Sequence, residues 1–160
     1  MVAVPARGLD WIRPLLGQKL RAVTRYVLDL GNANDEWGHG LTELEFEHAT
    51  VTIRPGPNED YMLIESGPAS LSGHEPSYWR RVELSRTEAW SSRHKGGRLR
   101  AVDCFTDGYE DVALVFSFDT GDQFSVVLAN TDLMIAEDLK PLAQDTEVVP
   151  PSLRERIERP

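Results

Sequence analysis

The residues of this chain best suited to chemistry are carboxylates, and they come in groups: Glu43, Glu45 and Glu47; Glu59 and Asp60; Glu110 and Asp111; Asp119 and Asp122. Two carboxyl groups facing each other across a cleft can cleave a glycosidic bond, one of them as the acid. Nothing in these spacings sets a pair across a cleft. The two-residue spacing instead puts Glu43, Glu45 and Glu47 on one face of a strand. Such a face reads first as solvated and second as an acidic strip that meets a basic partner.

Other chemistries lack their parts. Cys104 is the single cysteine and lies in the apolar run 101–105. A lone strand cysteine behaves as a small apolar residue. Its neighbours Asp103 and Asp107 would raise a thiol pKa by like-charge repulsion, which is wrong for a nucleophile. His39, His48, His74 and His94 stand far apart in the sequence, so a transition-metal site is not expected. Gly38-His-Gly40 is not followed by the third glycine of a dinucleotide-binding turn. The expectation is a chain without enzymatic activity, with no catalytic residue, cofactor or metal.

Two segments suit contact with a protein. Asp35, Glu36 and Trp37 sit in a polar, Gly-containing stretch, 31–40. Asp107, Tyr109, Glu110 and Asp111 form a turn between two apolar runs. An exposed aromatic supplies contact area, and the acids supply charge complementarity. These seven residues are the candidate partner-binding surface.

The charge balance agrees. There are 17 basic and 26 acidic residues, a formal net charge of −9. Such a chain repels nucleic acid and anionic membrane as a whole. The exception is 80–100, where Arg80, Arg81, Arg86, Arg93, Lys95, Arg98 and Arg100 face only Glu83 and Glu88. With Trp79 and Trp90 that segment could hold a phosphate backbone; more simply, it lies beside acidic strands. The absence of a signal-like apolar run or a membrane-length one makes a cytoplasmic location the expectation. The length fits one domain, 1–160.

The elements that must position these residues are written twice. Trp11, Gly17, Lys19 and Leu20-Arg-Ala-Val23 match Trp90, Gly96, Arg98 and Leu99-Arg-Ala-Val102 without a gap. The periodicity predicts a short helix over 11–16 and a better-capped one over 85–94, where Ser85 and Glu88 form a capping box. Strands are expected over 19–30, 41–46, 50–54, 60–65, 79–84, 99–105, 112–118, 124–129 and 133–135. Connections this short require antiparallel pairing. After 139 the pattern decays into an extended tail, 140–160, in which Leu153 and Ile157 are spaced for one face of a short terminal helix. The fold class expected is α+β: a mostly antiparallel sheet, sandwich or half-open barrel, built from two pseudo-repeated helix-plus-β-meander units, about 9–66 and 85–138.

Gly17 to Val23, Leu44 to Phe46, Gly96 to Val102, Phe116 to Phe118 and Asp132 to Ile135 together resemble small stand-alone bacterial proteins, some of them immunity partners of secreted antibacterial toxins. The resemblance implies a non-enzymatic protein that neutralises a toxin by direct binding, and the acidic charge suits a basic toxin domain as that partner. It carries over no binding residue. The rival expectations are a small-molecule-binding domain built on a concave sheet face, a structural or adaptor domain, and a hydrolase without a recognisable motif.

Overall fold

Val51 and Ile53 alternate with Thr52, and Leu44 and Phe46 alternate with Glu45. This two-residue period gives each strand one face to bury. The computed structural model describes residues 8–28, 41–55, 62–69, 79–83, 97–107, 110–129, 132–136 and 152–158. Among them are ten strands: β1 (Leu20–Leu28), β2 (Leu41–Phe46), β3 (Thr50–Pro55), β4 (Met62–Ser66), β5 (Trp79–Glu83), β6 (Leu99–Thr106), β7 (Asp111–Phe118), β8 (Gln123–Ala129), β9 (Asp132–Ala136) and β10 (Ser152–Glu158). They form two five-stranded antiparallel sheets, ordered β4-β3-β2-β1-β5 and β10-β6-β7-β8-β9.

The α+β expectation is therefore overturned: the described residues contain no α-helix. In place of the helix over 11–16 there are two 3-10 turns, Leu9–Trp11 and Arg13–Leu15. Pro14 has no N–H to continue a helix, and Gly17, at φ 85°, turns the chain away. The two turns nevertheless fill the core, with Ile12 and Leu15 fully buried. Trp11 itself is 49% exposed, so the repeated tryptophan is not a core residue in this copy. Gly8 enters against the backbone of Ile64, where a Cβ would stand 1.9 Å from the carbonyl oxygen. The expected helix over 85–94 lies outside the described residues.

The second correction is the tail. Residues 152–158 form no helix; they are β10, paired antiparallel to β6 with Ile157 opposite Val102. The Leu153/Ile157 spacing suits a helix, but the free edge of β6 offers backbone partners that an isolated turn lacks.

The two sheets share strand order and, at the start of their first strands, register. In each, the first strand pairs with the second and with the last in the sheet. Leu20 faces Phe46 and Ala22 faces Glu45, leaving Arg21 as an extra, bulged residue. Leu99 faces Phe118 and Ala101 faces Ser117, leaving Arg100 in the same position. Lys19 and Arg98, aligned in the sequence repeat, bridge each other antiparallel. Antiparallel pairing at that bridge runs the two Leu-Arg-Ala-Val segments in opposite directions. One core lies between the sheets, with Val23, Leu44, Ile53 and Ile64 from the first packed among Val102, Leu114, Phe116 and Phe124 from the second. Phe116 and Phe124 stack at 5.1 Å.

Candidate functional site

The β6–β7 turn is the candidate contact segment with residues on view. Asp107 closes it locally: its Oδ1 accepts the Glu110 N–H at 3.0 Å, and its own N–H donates to the Glu110 carbonyl at 3.2 Å. Thr106 Oγ1 donates to the same carbonyl at 2.7 Å. Asp107 and Glu110 are half-buried. Asp111 is not a surface group: its side chain is fully buried. Arg154 grips it with a two-pronged fork, Nε to Oδ1 and Nη2 to Oδ2, each at 2.6 Å. Asp35, Glu36, Trp37 and Tyr109 lie outside the described residues. The turn thus divides into Asp107 and Glu110, which remain at the surface, and Asp111, which belongs to the protein's own packing.

Two bulges assemble that fork. Arg154 is the extra residue between Leu153 and Glu155 on β10. Val112 is the extra residue on β7, between Asp111 opposite Thr106 and Ala113 opposite Phe105. Bulges re-aim side chains off the regular ladder, and here they bring Asp111 and Arg154 together beside Cys104. Arg154 Nη2 lies 3.6 Å from Cys104 Sγ. Burial pushes the Cys104 thiol up to about 12, helped by the neighbouring Asp111 carboxylate and opposed by Arg154. The hydrogen bonds to Asp111 push the Arg154 guanidinium up as well. At neutral pH the cluster is a neutral thiol beside a closed ion pair. It has no group poised to attack or to exchange a proton.

The glutamate strip does not act as one surface either. Glu43 Oε2 accepts the N–H of Ala69 at 2.9 Å, and Thr52 Oγ1 donates to the Gly67 carbonyl at 3.0 Å, so the chain leaving β4 folds over this face. Glu45 is exposed. Glu47 lies past the end of β2, where Oε1 accepts the Lys19 N–H at 2.7 Å and pairs with Arg98 Nη1 at 2.8 Å. The Lys19 N–H, with Arg98 behind it, holds the Glu47 carboxyl below its ordinary value.

Sequence reasoning missed Arg154 because its segment reads as a helical tail. It also missed Arg25, which is 0% exposed, donates to Thr42 Oγ1 and stands directly opposite it. Its position two residues after Val23, a core residue, was the available signal. Among the described residues no group of three His, Cys, Asp or Glu side chains could hold a metal ion. No described helix is long and apolar enough to cross a membrane. No family model, curated protein or solved structure matches the chain.

Proposed function

We propose that this chain is a non-enzymatic binding protein whose acidic surface meets a basic protein partner, an immunity-type neutraliser of a toxin being its sharpest form. One observation carries the reading: the described arginines are mostly balanced inside the molecule. Arg25 lies in the interior. Arg54 pairs with Glu65 at 2.7 Å, Arg98 with Glu47 at 2.8 Å, Arg154 with Asp111 at 2.6 Å and Arg156 with Glu158 at 3.1 Å. The excess of carboxylates in the −9 chain is therefore left for solvent and partners, as at the exposed Asp10 and Glu45. Such a field steers a basic partner into fast encounter. The rival reading, a ligand held between the sheets, has less support: the two inner faces share one cluster of side chains, none more than 5% exposed.

The test uses tagged protein to capture a partner from lysate of the source cell, followed by rate measurements on the purified pair. Association should slow several-fold as salt shortens the Debye length below about 10 Å. Glu45→Lys and Glu110→Lys should slow it further. Asp111 is excluded from that set because a lysine there would face Arg154 and break the fold. A salt-independent rate, or retention of only a metabolite, sinks the proposal.

A further inference from the structure

Most of what the two copies of the repeat retain has a packing explanation. Leu99, Ala101, Val102 and Val23 are buried, and Leu20 packs against the core. Arg98 is tied down by Glu47 and by the Gly17 carbonyl, 3.0 Å from its Nη1. Arg21 and Arg100 have no such explanation. Both are exposed, and neither has a side-chain hydrogen bond or ion pair among the described residues. Both occupy the extra position of the same bulge, where a residue leaves the ladder and its side chain is re-aimed. Of the nearby carboxylates, Glu47 is taken by Arg98 and the Lys19 N–H, and Asp119 Oδ1 accepts the Arg98 N–H at 2.9 Å, while the exposed Glu45, opposite Ala22, makes no ion pair with Arg21 among the described residues.

We propose that Arg21 and Arg100 are a matched pair of oxyanion-binding groups for a ligand carrying phosphates in series. A guanidinium presents a planar fork that fits a phosphate in two-pronged fashion, and it stays charged at any physiological pH. Counting along the strands on either side of the Lys19–Arg98 bridge, the two backbones stand on the order of 15 Å apart. Side chains standing off two strands at that separation are spaced to meet successive phosphates of one chain. Lys19, also exposed, lies on the path between them. The net charge of −9 opposes a polyanion over the whole molecule, but screening confines that repulsion to about a Debye length. The site is therefore local and strongly salt-dependent.

The test measures fluorescence anisotropy of a labelled twelve-nucleotide single strand and, by competition, inorganic polyphosphate, from about 50 to 200 mM salt. The parent should bind at least one of the two. Arg21→Gln and Arg100→Gln should each weaken binding about three- to ten-fold and flatten the log–log salt slope by about one. The double variant should lose binding, Arg21→Lys should restore only part of it, and Arg13→Gln, an exposed arginine elsewhere, should leave it intact. A circular-dichroism melt checks that the variants fold. Competition by polyphosphate assigns recognition to the phosphates alone; binding of the oligonucleotide without that competition assigns it to nucleic acid. If the parent binds neither probe at 50 mM salt, or the double variant binds like the parent, the proposal fails.

Discussion

Counting from the shared bulge, Arg25 of the first sheet and Cys104 of the second hold the same place, Arg25 opposite Thr42 and Cys104 opposite Leu114. Both are 0% exposed. The contrast extends to the outer faces. Across the first sheet, Glu83, Thr24, Glu43, Thr52 and Glu65 stand side by side, one from each strand. The matching row of the second sheet is Arg156, Asp103, Val115, Ser125 and Ala136. In β7 every residue but Ser117 is buried, whereas β2 keeps Glu45 in solvent. The same register thus supports a half-wet strand, β2, and a strand buried on both faces, β7. Topology depends on where side chains point; which polar groups they carry is free, provided each buried one is matched.

The largest way to break the comparison is to write the first sheet's residue into the second. Cys104→Arg would set a charge beside Leu114 with no hydroxyl to receive it, and next to Arg154. Burying a second guanidinium that Asp111, already held by Arg154, cannot also neutralise should abolish the cooperative urea transition. A folded variant would show that the two interiors are interchangeable.

Arg154→Ala comes next. It leaves the fully buried Asp111 carboxylate without its fork, a change of the kind that costs about 3–5 kcal/mol. Arg54→Ala, which opens the half-exposed pair with Glu65 on the first sheet, should cost about 1 kcal/mol. Equal losses in denaturant melts would erase the distinction between the two sheets.

The thiol gives a smaller, pH-dependent effect. In the folded protein Cys104 is raised from 9.0 to about 12, so the unfolded chain loses this proton first. Its contribution to stability is complete below pH 9 and falls away as pH climbs toward 12. Cys104→Ala should flatten that alkaline loss relative to the parent. A thiol reagent at pH 8 should react only after urea is added, and rapid labelling of the native protein would contradict the burial.

Glu47 should show the smallest effect, with the opposite sign. Its carboxyl is held below the ordinary 4.5, so its contribution is present above that value and is lost as pH falls through the lowered one. Glu47→Gln should lower stability slightly at neutral pH, leave it nearly unchanged in acid and so make the acid limb of the stability curve shallower. A steeper acid limb would mean that Lys19 and Arg98 do not hold it.

What the sequence determined by itself was local. Two-residue alternation marked the strands from 41–46 through 124–129 to within a few residues, and the Leu-Arg-Ala-Val echo marked the first strand of each sheet, though not the helix-plus-meander units expected around it. Short connections dictated antiparallel pairing. Leu114, Phe116 and Phe118 alternate along β7, and all three are buried in the core. Tertiary structure decided the rest. Residues 11–16 could begin a helix, but Pro14 and the fit of Ile12 and Leu15 into the core broke it into two 3-10 turns. Residues 152–158 have a helical spacing, yet the open edge of β6 made them a strand. Bulges on two strands distant in sequence then brought Arg154 to Asp111. They turned a residue that read as a surface acid into half of a buried pair. Alternation is visible in a sequence because it is local. The choice of partner strand and the place of an inserted residue in a ladder depend on groups far along the chain, and only the folded sheet brings them together.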